Sequence, residues 1–278
     1  MAGAGRKGQG ARRLIVHLGV QKTGSTSIQR HLRRNADALA GHLVVRTPEE
    51  GSAMRPLGRA AVGYSLAPSG DAARTLKLAF REVLDTLPDD DVPVLISHEN
   101  LAGAMPGNGG EVRLYPALPQ IAALLASEAH DFTTDFVIYT RKHKTWRPSV
   151  WAQAVRTDGY TRSLVEFEAE TADLPGWGDL IRRLSAQVGV TRFRLEDEDD
   201  FLRPGRQLLR HAGLEDALID RLSPLDGPAN GRLNGGATEF LRRLNSLALN
   251  PHAHGRIVDL VAHAEHLFAA DVPSQGTS

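Results

Sequence analysis

Arg12-Arg13-Leu14-Ile15-Val16-His17-Leu18-Gly19-Val20-Gln21-Lys22-Thr23-Gly24-Ser25-Thr26-Ser27 joins an apolar run to a glycine-containing loop. Leu14 to Leu18 is an apolar run suited to a buried strand. The residues after it form a loop with two glycines and four hydroxyl side chains. Behind the loop Ile28, Leu32, Ala36 and Leu39 recur at helical spacing, and Gly41 is placed to stop that helix. Strand, glycine-containing loop and helix, in this order, turn the free N–H groups of a helix N-terminus towards an anion. The plainer reading is an ordinary strand-to-helix turn capped by Ser25 or Ser27.

Outward from this unit the pattern alternates. His42 to Arg46 reads as a short strand, residues 48–70 as a long Gly/Pro/Ser-rich loop suited to a lid, and Leu76 to Leu87 as an amphipathic helix. Val92 to Ser97 is a short apolar strand that ends at His98-Glu99-Asn100. A second glycine-rich loop covers 103–111, a helix lies near 115–127, and Asp135 to Thr140 is a further buried strand. Helices follow near 145–156 and over Trp177 to Val188, then a strand from Thr191 to Leu195. Residues 223–236 read as a loop, and helices near 236–248 and 255–270 close the chain. Strands alternating with helices predict an α/β fold: one domain over 12–270, with a central, mainly parallel sheet flanked by helices. Residues 1–11 and 271–278 read as flexible tails.

Composition narrows the function classes. The 278 residues carry 33 basic and 33 acidic side chains, so broad attraction to nucleic acid or an anionic membrane is not expected. Without cysteine there is no thiolate metal site, disulfide or cysteine nucleophile. The N-terminal residues lack the apolar core of a secretory signal, and no apolar run reaches the roughly 20 residues that span a bilayer. The expectation is a soluble, cytoplasmic protein with no integral membrane segment. His252, His254, His263 and His266 read as solvent-facing rather than metal-binding, and Glu196 to Asp200 as a solvated acidic turn. Trp146 and Trp151 suit either core packing or stacking on a ring.

Gly19-x4-Gly24 departs from the triphosphatase loop G-x4-G-K-[ST]. Ser25 stands where that loop has its lysine, Lys22 precedes Gly24, and no strand ends in a magnesium-binding aspartate. Gly19-x-x-Lys22-Thr23-Gly24-Ser25-Thr26-Ser27 instead resembles the 5'-phosphosulfate loop of sulfotransferases that use 3'-phosphoadenosine-5'-phosphosulfate (PAPS). The strand Asp135 to Thr140 delivers Arg141, and Ser149 lies eight residues on. This pair resembles the family's 3'-phosphate motif, although Arg141-Lys142-His143 replaces the common Arg-Asp-Pro. The stretch Asn230 to Asn245 resembles the C-terminal segment that closes over the nucleotide, which would bring Arg232 near it.

The resemblance implies a P-loop-like sulfotransferase fold of the bacterial or carbohydrate-modifying branch. The reaction it implies is transfer of a sulfuryl group from PAPS to a hydroxyl or amine, releasing 3',5'-ADP, with no metal. Lys22 would stabilise the leaving phosphate. Thr23, Gly24, Ser25, Thr26 and Ser27 would hold the 5'-phosphate, and Arg141 and Ser149 the 3'-phosphate. Ligands of such sheets sit at the carboxyl ends of strands, and a base there would take the acceptor proton. Two residues offer it: His98, as in the cytosolic type, and Glu99, favoured by Ser97-x-Glu99-x-Leu101. The acceptor leans towards a glycan or small hydroxylated metabolite. The competing expectations are a P-loop phosphotransferase such as a small-molecule kinase, and a non-catalytic nucleotide-binding descendant of the fold.

Overall fold

The structure is a computed structural model that describes residues 11–227 and 233–269. Arg232 and most of both expected tails lie outside the described residues. The chain divides into two compact units. One comprises residues up to 104, 115–141 and 175–229; the other comprises 105–114, 142–174 and 230 onwards.

The first unit holds a five-stranded, all-parallel sheet. Its strands are β1 (Arg12–Leu18), β2 (Val44–Arg46), β3 (Val94–His98), β4 (Phe132–Thr140) and β5 (Val190–Arg194), in the spatial order β2-β3-β1-β4-β5. Burial on both faces explains the apolar run of β1, where Leu14, Ile15, Val16 and Leu18 are wholly buried. The chain builds the β2–β3 side first and then crosses β1 to start β4. The reversal falls between β1 and β4, and the crevice at their carboxyl ends is the ligand position of such sheets.

Helices α1 (Ser25–Arg34) and α2 (Ala36–Leu39) follow β1. Ile28, Leu32 and Leu39 pack on Ile15, Leu95, Val137 and Tyr139, as do Leu208, Leu209, Ile219 and Leu222 from further along the chain. The expected single helix to Gly41 is broken at Asn35. That side chain donates to the His31 carbonyl and accepts from Ser223 N–H at the end of α1. The expected lid is instead α3 (Met54–Leu66), which leads to α4 (Gly70–Leu84). Pro56 sits in the first turn of α3, where a missing N–H costs nothing. Between β3 and β4 lies α5 (Leu118–Glu128), packed on α4.

The second unit is helical. It includes α6 (His143–Thr157) and α7 (Leu164–Glu170), the latter held by a capping box between Ser163 and Glu166. Next along the chain come α8 (Trp177–Ser185), α9 (Arg206–His211) and α10 (Asp216–Ile219) of the first unit, then α11 (Gly235–Leu244) and α12 (Pro251–His263) of the second. Asn245 bridges the carbonyls of Val155 and Tyr160 and meets His254. No helix among the described residues is long and apolar enough to cross a membrane.

Burial holds His17 neutral by pushing its pKa down to about 4. The unfolded chain therefore binds a proton near pH 6.5 that the native chain refuses until about pH 4, so stability falls as pH drops through that window. The native penalty reaches about 3 kcal/mol. His31 and His98, lowered mainly by burial, add the same sign, while Asp158, raised by burial, opposes it. The urea midpoint should fall between about pH 7 and pH 5, and fall less in His17→Asn. Equal drops in both proteins would refute the assignment to His17.

Candidate functional site

The loop between β1 and α1 is fixed by a close backbone approach. Gly19 N–H donates to the His98 carbonyl at 3.1 Å. A Cβ on Gly19 would stand 2.7 Å from Glu99 Cα, so only glycine fits where the loop passes the end of β3. Lys22 and Gly24 both take left-handed backbone, with φ of 65° and 92°. Such turns gather successive N–H groups into a concavity that suits an anion. Gly24 caps α1 with no side-chain hydrogen bond. The first-turn amides, Ser25 to Ser27, therefore point out of the helix without an intrahelical acceptor. The turn capped by Ser25 or Ser27 is not what forms.

The hydroxyls divide into two groups. Thr23 Oγ1 donates to the Val20 carbonyl at 2.6 Å, and Ser25 Oγ to the same carbonyl at 3.4 Å. Both residues are buried, so their protons close the loop on itself. Thr26 and Ser27 are half-buried on the outer turn.

Arg141 follows β4, and its Nη1 donates to the Lys22 carbonyl at 3.4 Å. Its own carbonyl accepts from Trp177 Nε1 at 2.6 Å, which anchors the strand end. The fold thus brings Arg141 onto the Lys22 loop although 119 positions separate them. Ser149 lies in α6 of the second unit, buried, with its hydroxyl donating to the Thr145 carbonyl at 3.0 Å. Trp146 and Trp151 are core residues of that unit, and Trp151 Nε1 donates to the Arg162 carbonyl.

Gln21 has a part that its sequence did not signal. Its side chain donates to the Gly103 carbonyl at 3.0 Å and accepts from the Tyr115 hydroxyl at 2.8 Å. Tyr115 is buried at a φ of 45°, a rare conformation for an aromatic residue. Under the loop His17 Nδ1 meets Ser97 Oγ at 2.8 Å across the β1–β3 register, and Gln29 Nε2 donates to the same oxygen at 3.4 Å.

The acidic run is not a uniformly solvated turn. Glu198 is buried and accepts from the Tyr139 hydroxyl at 2.6 Å, from Gln207, and from the backbone N–H groups of Gly205 and Arg206 at the start of α9. It fixes the turn that carries Leu195, whose methyl lies over Gly24. His252, His263 and His266 are exposed. Among the described residues no group of three or more His, Asp or Glu is arranged to hold a metal.

At the end of β3 the two candidate bases differ sharply. His98 is 3% exposed, whereas the Glu99 side chain is 34% exposed. His98 Nδ1 accepts from Asn100 N–H at 3.0 Å. Glu99 begins the 3₁₀ turn Glu99–Ala102 against Gly19, and its Oε2 is shielded without a hydrogen-bond partner.

Gly19→Ala should lower stability by about 1–3 kcal/mol, because the added methyl must displace backbone rather than a flexible side chain. Urea denaturation would measure it, and an unchanged midpoint would show that the approach is looser than described. No protein-family model matches the chain, and no curated protein matches it.

Proposed function

We propose that the protein is a PAPS-dependent sulfotransferase that transfers a sulfuryl group to a hydroxyl or amine and releases 3',5'-ADP. The observation that carries this reading is the reach of the Arg141 guanidinium to the main-chain carbonyl of Lys22, in the loop before α1 at the reversal point of the sheet. Two cations and a row of outward amides suit a ligand with separate phosphate groups. The order of the loop and strand-end motifs, and their resemblance to the sulfotransferase pair, select PAPS among such ligands.

In this reading the amides of Ser25 to Ser27, with the Thr26 and Ser27 hydroxyls, hold the 5'-phosphate. Arg141 serves the 3'-phosphate, and Ser149 is carried over from the motif alone. The donor supplies an electrophilic sulfur bonded to a phosphate oxygen. Lys22 would meet the charge that grows on that oxygen as the sulfur–oxygen bond breaks, and so lower the barrier. Glu99 takes the acceptor proton while the acceptor oxygen or nitrogen bonds to sulfur. Thr23 and Ser25 contribute by closing the loop. A sugar, glycan or other hydroxylated acceptor fits this chemistry, and a cytoplasmic location fits the composition.

Calorimetric titration with 3',5'-ADP, set against Mg²⁺-ATP, tests the reading. Wild type should bind 3',5'-ADP, and Arg141→Ala should weaken binding by about 10- to 100-fold, the scale of a charge-assisted hydrogen bond. Lys22→Ala should remove transfer and leave the fold intact. Preference for Mg²⁺-ATP would establish a phosphotransferase instead. Binding of 3',5'-ADP without turnover of any acceptor would leave a nucleotide-binding descendant.

A further inference from the structure

His98 is a buried titratable side chain next to the proposed base, and the geometry of both its ring nitrogens is defined. We propose that His98 is a positioning residue that aims Glu99, and that it does not itself exchange a proton with the acceptor. The catalytic meaning of this inference rests on the sulfotransferase reading.

Three contacts carry it. First, Nδ1 accepts the Asn100 N–H at 3.0 Å, capping the 3₁₀ turn that Glu99 begins. An accepting Nδ1 carries a lone pair, so the neutral ring bears its proton on Nε2. Second, the opposite edge of the ring is pressed on α3. A Cβ at Gly58 would lie 2.2 Å from Nε2 and 2.3 Å from Cε1, so the imidazole fills the space that any other residue would occupy. The Met54 carbonyl acts on the ring from this side, but Nε2 completes no hydrogen bond. No acceptor molecule can enter between ring and helix. Third, the His98 carbonyl holds Gly19 N–H, the first residue of the phosphate loop. One residue thus ties the loop to the turn that bears Glu99.

The electrostatics agree. Burial lowers the His98 pKa against the opposing pull of the Glu99 carboxylate. Glu99 Oε2 stands 3.8 Å from His98 Nδ1, too far for a hydrogen bond, and a neutral imidazole makes no ion pair. That oxygen is shielded and has no hydrogen-bond partner, so the turn alone sets the direction of the carboxylate.

The test uses the full chain in two arms. In the first, kcat and the donor KM of sulfuryl transfer are compared among wild type, His98→Ala, His98→Asn and His98→Gln. The Asn side-chain oxygen reaches the place of Nδ1 and can restore the cap, whereas the Gln oxygen falls near Nε2 and cannot. His98→Ala and His98→Gln should lose about 10- to 100-fold in kcat with the donor KM unchanged, the cost of a displaced group. His98→Asn should recover most of that loss. A folded His98→Asn protein that binds 3',5'-ADP yet is as slow as His98→Ala would overturn the proposal, because restoring the cap would then not restore the rate.

The second arm needs no activity. Long-range ¹H–¹⁵N spectra of ¹⁵N-histidine protein, with His98 identified by its loss in the His98 variants, should show a bare Nδ1 and a protonated Nε2 at about pH 7. An Nδ1–H tautomer or an imidazolium there would overturn the proposal whatever the enzyme's activity. Failure to bind 3',5'-ADP would instead remove the sulfotransferase reading, leaving this arm to judge the cap.

Discussion

The contact on which the site depends is the one between Gly19 and the end of β3. A single backbone hydrogen bond joins the first residue of the loop to the His98 carbonyl, and the approach leaves no space for a side chain. Because both strands belong to one parallel sheet, this bond fixes the loop and the turn bearing Glu99 in a common frame. Arg141 enters that frame from β4 through the Lys22 carbonyl. The outward amides of the loop and the Glu99 carboxylate are thereby held on rigid elements.

Polar groups inside the sheet unit keep this frame in place. Ser97 joins β1 to α1 through His17 and Gln29, and Glu198 joins β4 to the N-terminus of α9. Buried polar groups favour one arrangement when they are satisfied, because the alternatives leave them unpaired. Glu198 is close to saturated, with four donors on its two oxygens. The Leu195 side chain that it positions covers Gly24, so the acidic run after β5 shapes the loop after β1.

Much of the fold was legible. The strands announced themselves as apolar runs, because both faces of a parallel sheet are buried. Strand β2, α5, α6, α8 and α11 fell within a few residues of their expected positions, whereas the last helix, α12, starts and ends earlier than expected. The error over 48–70 arose from composition. Gly58 and Pro56 read as loop residues, yet one yields space to the His98 ring and the other sits harmlessly in a first turn. The capping box of α7 is written in Ser163-x-x-Glu166. Short α9 and α10 carry too few apolar positions to show a period.

The strand–loop–helix unit and its outward amides can be read from the sequence alone. These are local: a strand, two glycines and a helix start specify them without distant partners. The sequence also placed Glu99 and His98 at a strand end, where parallel sheets bring ligands. How these two neighbours differ depends on packing. Adjacent residues share every sequence signal, and what separates them is α3, which covers one and leaves the other about a third exposed. The approach of Arg141 to Lys22 likewise depends on which strands lie side by side, a choice made by packing and invisible in spacing along the chain.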